Sequence, residues 1–153
     1  MKDELLRLDR QVCFAVHATS RALDGVYRRE LAELGLTYPQ YLVMLVLWEH
    51  QPAAGDPPLT LKRLGQALRL DSGTLSPLLK RLEAAGLVRR DRDTRDERSL
   101  HVRLTPAGAA LRARARKVPE RVFAATGLDE SELTHLRQVL ARVTTALDAE
   151  AAI

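Results

Sequence analysis

The sequence is poor in cysteine: Cys13 is the single one among 153 residues. One thiol excludes a disulfide within the chain, and no cysteine–histidine cluster has zinc-ligand spacing, so we expect no metal and no cofactor. No apolar run approaches the roughly 18 residues that a membrane-spanning helix needs. The opening MKDELLRLDRQ lacks the continuous apolar core of a signal peptide, so we expect a cytoplasmic protein with no membrane partner.

Internal repeats and low-complexity tracts are also missing. Hydrophobic residues make up 46% of the chain and charged residues 29%, which is typical of an ordinary globular protein. The length suits a single domain spanning residues 1–153, with room for extensions used in dimerisation.

Positive charge is concentrated in one segment. Residues 60–103 hold eleven Lys or Arg against six Asp or Glu, a net charge of +5, whereas the whole chain has +4. A local excess of this kind is typical of a surface that binds a polyanion such as DNA. A solvated arginine-rich surface is the alternative, and charge alone does not separate the two.

Helical patterns dominate the first third of the chain. Hydrophobic spacing predicts a first helix over residues 3–34, which Gly25 could weaken or divide and Gly35 ends. Thr37, Pro39 and Gln40 then form a capping-box pattern before the apolar YLVMLVLWEH, which predicts a buried helix.

The pattern between residues 59 and 105 predicts a DNA-binding lobe. Two short helices, over residues 61–68 and 72–85, are close enough for a helix-turn-helix, with Asp71 or Ser72 as the cap of the second. Strands over residues 87–91 and 99–104 flank the charged RDTRDER, so a β-hairpin with a basic tip follows. The expected fold is therefore mainly α with a small β-hairpin wing, a winged helix-turn-helix core.

Two more helices complete the predicted chain. Thr105 caps a helix to about Thr126, and another starts at Asp129. Apolar residues of the latter alternate in steps of four and three, as in a coiled coil: Leu133, Leu136, Leu140, Val143 and Leu147. We expect residues 3–34 and 107–150 to form the dimer interface; the alternative packs both against the core of one chain.

The residues expected to contact DNA lie on the second short helix and on the hairpin. A helix in the major groove presents its N-terminal side chains to base edges. Arginines at a hairpin tip suit a minor groove, and Asp96 is expected to orient Arg98 there. The predicted contacts are Ser72, Gly73, Thr74, Ser76, Lys80, Arg81, Arg92, Arg95, Asp96 and Arg98. For Ser72 and Thr74, capping the helix is the alternative role.

These blocks resemble the MarR family of winged-helix transcriptional regulators. The wing LVRRDRDTRDERSLHVRLTPAG carries the family's Asp-x-Arg at Asp96 and Arg98, followed by a strand and Leu-Thr. QVCFAVHATSR, TYPQYLVMLVLWEH and LDSGTLSPLLKRLEAAGLV resemble its OhrR-like branch of repressors that sense organic hydroperoxides. The resemblance spans about residues 5–108.

This resemblance implies a homodimeric repressor that binds a pseudo-palindromic operator as double-stranded DNA. It implies that Cys13 matches the peroxide-sensing cysteine, and that Tyr27 and Tyr38 from the partner subunit match the tyrosines that hydrogen-bond its sulfur. The chain would belong to the one-cysteine type. It departs from its close relatives at His17, where a tyrosine-like residue is expected, and in a longer loop over residues 51–58.

The chemistry of a peroxide sensor requires a thiolate at Cys13. Phenol hydroxyls from Tyr27 and Tyr38 can donate to the sulfur and favour the charged form, and His17, four residues after Cys13, can add positive character. With one cysteine, the sulfenic acid must take a low-molecular-weight thiol, cyclise to a sulfenamide or over-oxidise.

Three alternatives to this redox function are open. Cys13 could be a small buried hydrophobe. The protein could be a MarR-type repressor released by a small aromatic ligand, with Cys13 inert. An enzyme, either a one-cysteine thiol peroxidase or a Cys13/His17 hydrolase, is the most distant alternative, because neither an orienting third group nor an oxyanion element is visible.

Overall fold

The computed structural model describes residues 3–50, 58–92 and 99–151. Helices dominate, and a small antiparallel sheet lies beside them, as the sequence predicts. Among the described residues no single helix is long and apolar enough to cross a membrane. Residues 12–34 and the helix that follows pass that test only as a pair, which is bent by 66°.

The N-terminal segment is not the continuous helix that the pattern predicts. Two 3₁₀ turns, Asp3–Leu6 and Leu8–Arg10, precede α1, which covers Val12–Leu31 and ends in another 3₁₀ turn, Ala32–Leu34. Leu6 and Leu8 are largely exposed. Because these side chains gain little from burial, the short segment depends on intrinsic helix propensity, which is marginal for a few turns. Gly25 does not divide α1.

The second helix, α2 at Tyr38–Glu49, begins at the predicted capping box. The Thr37 hydroxyl accepts from the Gln40 amide at 3.4 Å, and the Gln40 side chain accepts from the Thr37 amide at 2.9 Å. Gly35 stops the preceding turn with φ of 67°, a conformation that glycine adopts without strain. Both predictions are confirmed.

A helix-turn-helix and a three-stranded sheet follow. The helices are α3 at Leu61–Leu68 and α4 at Ser72–Ala84. The strands are β1 at Leu59–Thr60, β2 at Val88–Arg92 and β3 at Leu100–Leu104, in the order β1-β3-β2. The hairpin pairs Val88 with Leu104 and Arg92 with Leu100. The two-residue strand β1 was not predicted.

The helix predicted from Thr105 to Thr126 is two helices, α5 at Pro106–Ala115 and α6 at Lys117–Thr126. Pro119 explains the break, because proline has no amide to donate to the carbonyl four residues earlier, that of Ala115. The last helix, α7 at Glu130–Ala151, starts as predicted. Asp129 and Glu132 form a reciprocal cap with both distances at 2.9 Å.

The core lies around α2 and leaves the two terminal helices poorly covered. Buried side chains come from α2 to α6 and from all three strands. Within α1 only Leu31 is buried, and within α7, which the structure describes in full, no residue is. Apolar side chains of both helices therefore face solvent in the single chain.

Candidate nucleic-acid interface and thiol site

One face of α4 is polar and open, as a DNA-reading helix requires. Leu75, Leu79 and Leu82 are fully buried and fix the opposite face against the core. The predicted contact residues on this helix are all exposed: Ser72, Gly73, Thr74, Ser76, Lys80 and Arg81. The helix therefore presents small groups at its N-terminus and two cations further along.

The cap of α4 is Asp71 rather than Ser72. Its Oδ1 accepts from the Thr74 amide at 2.8 Å, and its Oδ2 accepts from the Thr74 hydroxyl at 3.3 Å. These bonds, the amide bond first, lower the pKa of Asp71. Thr74 thus serves the cap in part, whereas the exposed Ser72 hydroxyl is not the capping group.

The wing is described as far as Arg92 on one strand and from Ser99 on the other. Arg92 is exposed, at the end of β2. Arg95, Asp96 and Arg98 lie outside the described residues, so their predicted contacts, and the Asp96–Arg98 pairing, remain predictions.

An ion pair that the sequence did not reveal joins the wing to α4. Glu83 Oε2 accepts from Arg90 Nη2 at 2.7 Å and from Arg90 Nε at 3.0 Å, while Oε1 accepts from the Arg90 amide at 3.0 Å. Hydrogen bonds from the Arg90 side chain, then its amide, lower the pKa of Glu83. Strand β2 is therefore held against the last turn of α4.

A second unpredicted ion pair connects the helix-turn-helix to α7. Arg69, in the turn between α3 and α4, places Nη2 2.6 Å from Oδ1 of Asp148. Its φ of 57° makes it the one non-glycine with positive φ among the described residues. Arg69 also borders an open cleft of about 870 Å³, whose lining includes Lys62, Ser72, Leu75 and Leu100.

Cys13 lies in the first turn of α1 and is exposed in the single chain. His17 is one turn further along the same face and is also exposed. Val12, Phe14 and Val16 surround them with uncovered apolar surface. Within the single chain, Cys13 is therefore not a small hydrophobic residue buried in the core, which was one alternative to a sensing role.

Tyr27 and Tyr38 form a close pair at the other end of α1. Their ring centroids are 4.2 Å apart, with the ring planes tilted by 31°. Burial, reinforced by Tyr38 and Tyr41, raises the pKa of Tyr27 to about 12. Burial and the nearby Asp24 also raise the pKa of Tyr38. Both phenols therefore stay protonated and able to donate.

The structure does not bring Cys13 and the tyrosine pair together within one chain. Tyr27 lies fourteen positions after Cys13 in the same continuous helix, which is roughly 21 Å at about 1.5 Å per position. A contact between the sulfur and these hydroxyls therefore requires a second chain.

Among residues 3–50, 58–92 and 99–151, no three His, Cys, Asp or Glu side chains lie close enough together to hold a metal ion.

The tandem of α3 and α4, followed by the hairpin of β2 and β3, defines a winged-helix protein. Residues 26–114 match the model of the family described as Transcriptional regulator SarA/Rot. The chain belongs to this family of MarR-like winged-helix regulators, as the resemblance in its sequence implied.

Curated relatives extend this similarity over nearly the whole chain. The HTH-type transcriptional regulator TtmR of Methylorubrum extorquens is 46% identical over 150 residues, 98% of this chain and 74% of TtmR. The organic hydroperoxide resistance transcriptional regulator of Bacillus subtilis is 40% identical over 139 residues, 91% of this chain and 90% of the relative. Among solved structures, overoxidized AbfR bound to DNA is 37% identical with a TM-score of 0.76, covering 96% of this chain and 99% of AbfR. AbfR comes from Staphylococcus epidermidis.

Proposed function

We propose that this protein is a homodimeric transcriptional repressor that leaves its operator when an organic hydroperoxide oxidises Cys13. The observation that carries the proposal is the distance between Cys13 and the Tyr27–Tyr38 pair, which lie at opposite ends of α1. An exposed thiol stands at one end and a protonated tyrosine pair at the other, so that two antiparallel copies could close two complete sites. The regulator of organic hydroperoxide resistance among the relatives supports the same chemistry.

Dimerisation is supported by the apolar faces that the single chain leaves uncovered. On α7 these are Leu136, Leu140, Val143 and Leu147, and on α1 they are Val12, Phe14 and Val16. Exposed apolar side chains repeated along α7 and grouped at the N-terminal end of α1 favour burial against a partner. We propose residues 3–34 and 107–150 as this interface, with residues 59–105 as the DNA-binding lobe.

A two-fold symmetric dimer presents two copies of α4, which favours a pseudo-palindromic operator. In this proposal, Ser72, Gly73, Thr74 and Ser76 approach base edges in the major groove, and Lys80 and Arg81 bind phosphates or a guanine. The wing arginines Arg92, Arg95 and Arg98 reach the backbone and the minor groove, with Asp96 orienting Arg98.

The proposed oxidation begins with a Cys13 thiolate stabilised by hydroxyl groups of Tyr27 and Tyr38 from the second chain. The sulfur attacks a peroxide oxygen of ROOH, so that an S–O bond forms as the O–O bond breaks. The leaving alkoxide takes a proton and departs as ROH, leaving the sulfenic acid. His17, one turn from Cys13, is placed to supply that proton. Apolar Phe14 and Val16 favour bulky hydroperoxides.

A low-molecular-weight thiol can then condense with the sulfenic acid, forming a mixed disulfide and water. The added bulk separates Cys13 from the tyrosines and shifts the dimer away from its DNA-binding geometry. We infer that the protein acts once per oxidation, as a cytoplasmic regulator rather than an enzyme. Steady turnover of hydroperoxide with added thiol is the result that contradicts this inference.

The test compares wild type with Cys13→Ser on a duplex that the reduced protein selects from a random library. Cumene hydroperoxide with a small thiol should release wild type from this duplex and leave the variant bound, while intact mass reports the adduct. A Cys13→Ser protein that is released by the peroxide contradicts the proposal. Release of both proteins by an aromatic carboxylate alone, with no effect of peroxide, favours the ligand-controlled alternative.

A further inference from the structure

Four aromatic rings form a continuous series from the tyrosine pair into the core. Tyr27 contacts Tyr38 at a centroid distance of 4.2 Å and Tyr41 at 6.0 Å, and Tyr41 meets Trp48 edge-on at 6.3 Å. Tyr41 and Trp48 are almost fully buried. Three of the four rings lie on α2, so a shift of this helix moves Tyr38, Tyr41 and Trp48 together.

The series ends in a buried hydrogen bond to another helix. The indole Nε1 of Trp48 donates to the carbonyl oxygen of Gly108 on α5 at 2.9 Å. This bond spans 60 residues of sequence, and it is directional, so it fixes α5 relative to α2 more closely than apolar packing alone does.

Gly108 in turn lies against the segment that connects α4 to β2. A Cβ on Gly108 would overlap the carbonyl oxygen of Leu87, so the two backbones are in direct contact. One turn earlier, Thr105 donates from its hydroxyl to Gly86 at 2.6 Å and from its amide to Leu87 at 3.1 Å. Gly86 and Leu87 connect α4 to β2, so the start of α5 is hydrogen-bonded to the junction between α4 and the wing.

We infer that Trp48 is the positioning residue that couples the tyrosine pair to the DNA-binding lobe. This inference rests on the proposed function, because it assumes that events at Cys13 alter the Tyr27–Tyr38 contact. Close-packed interiors transmit such shifts because they have no free volume to absorb them.

Intrinsic fluorescence supplies a readout that needs no substitution, because Trp48 is the single tryptophan of the chain. Oxidation of wild type by cumene hydroperoxide and a thiol should change the emission of Trp48 as its neighbours move. Cys13→Ser should show no change, which controls for direct oxidation of the indole. Unchanged emission from protein that intact mass shows to be modified, and that has left DNA, overturns the relay.

The second arm compares Trp48→Phe with Val43→Ala. Trp48→Phe keeps an aromatic ring but loses the donor to Gly108, whereas Val43→Ala removes buried apolar volume from α2 and keeps all four rings and the Trp48–Gly108 hydrogen bond donor. Allosteric couplings are typically about 5- to 150-fold in affinity. We expect oxidation to lower the DNA affinity of wild type and of Val43→Ala by a factor in that range. Trp48→Phe should bind DNA when reduced, but oxidation should lower its affinity much less.

The outcomes separate the relay from the function on which it rests. Wild type that keeps its DNA with Cys13 oxidised contradicts the proposed function itself. Equal release of Trp48→Phe and wild type contradicts the relay alone. If Trp48→Phe does not fold, the fluorescence of wild type decides the question.

Discussion

Glu83 holds Arg90 through both the side chain and the backbone amide of the arginine, and this pair joins α4 to β2, the first strand of the wing. The three hydrogen bonds measure between 2.7 and 3.0 Å. Because both side chains remain partly exposed, the pair contributes at most about 1 kcal/mol to folding. Its larger effect is expected on the orientation of the wing.

Glu83→Ala should therefore weaken operator binding more than it weakens the fold. The loss of Glu83 frees Arg90 and lets β2 move relative to α4, so the wing arginines engage DNA less well. Affinity by fluorescence anisotropy and stability by urea unfolding measure the two effects. Asp91→Asn is the matched control, since its contacts with Arg89 and Arg103 are longer, at 3.7 and 3.9 Å. Equal losses of affinity in both variants would refute this role for Glu83.

Gly108→Ala and Gly25→Ala should change stability in opposite directions. The added methyl at Gly108 overlaps backbone at Leu87, which cannot move away easily, so we expect a loss of about 1–3 kcal/mol or more. At Gly25, in the middle of α1, nothing lies within 4 Å of the new Cβ, and alanine should stabilise by about 0.5–1 kcal/mol. Urea unfolding of the two variants measures both changes in the free energy of unfolding. A Gly108→Ala protein as stable as wild type would contradict the close contact.

The pair of Arg69 and Asp148 should show a defined pH dependence. The Arg69 hydrogen bond lowers the pKa of Asp148 below its ordinary 3.8. A depressed carboxyl pKa contributes stability that is present above the ordinary value and is lost as pH falls through the lowered one. The difference in urea midpoint between wild type and Asp148→Asn should therefore be largest near neutral pH and shrink below about pH 4. High salt should reduce it too, because both groups are exposed. A difference that grows on acidification contradicts the assignment.

Local signals in the sequence predicted the elements that local contacts create. The cap of α2 needs only Thr37 and Gln40, and the stop before it needs only Gly35, so both could be predicted from a few residues. Asp71 and Ser72 are both good caps, and the sequence could not choose between them. Pro119 carries a local signal for the break between α5 and α6, but the helical pattern on both sides of it predicts one continuous helix.

Contacts between distant elements were beyond such reasoning. Glu83 and Arg90 meet only because the turn at Gly86 folds β2 back along α4, and Trp48 reaches Gly108 across 60 residues. The apolar spacing of residues 3–10 predicted a helix, but it could not show that Leu6 and Leu8 stay exposed in the folded chain. Cys13 and Tyr27 remain predicted members of one site, and the length of α1 shows that a single chain cannot bring them together.

Arg98→Ala should weaken operator binding and reduce its dependence on salt. A cation inserted beside phosphates releases counterions, so its removal should lower the slope of log K against log salt by about 1. Arg112→Ala is a suitable control because Arg112 is exposed on α5, outside the proposed lobe. Titrations at several salt concentrations give both slopes. An unchanged slope for Arg98→Ala would remove this residue from the proposed contacts.

Leu140→Lys should produce a monomer that no longer binds the operator. Leu140 lies midway along the apolar face of α7 and is 40% exposed in the single chain, so a charge there costs the monomer little but becomes buried without a partner charge in a dimer. Sedimentation and light scattering should show half the wild-type mass, with unchanged helical content. Gln138→Lys introduces the same charge at an exposed position of α7 outside the apolar series, and it should leave the dimer intact. A dimeric Leu140→Lys protein would place the interface elsewhere, and with it the second chain that Cys13 needs to meet Tyr27.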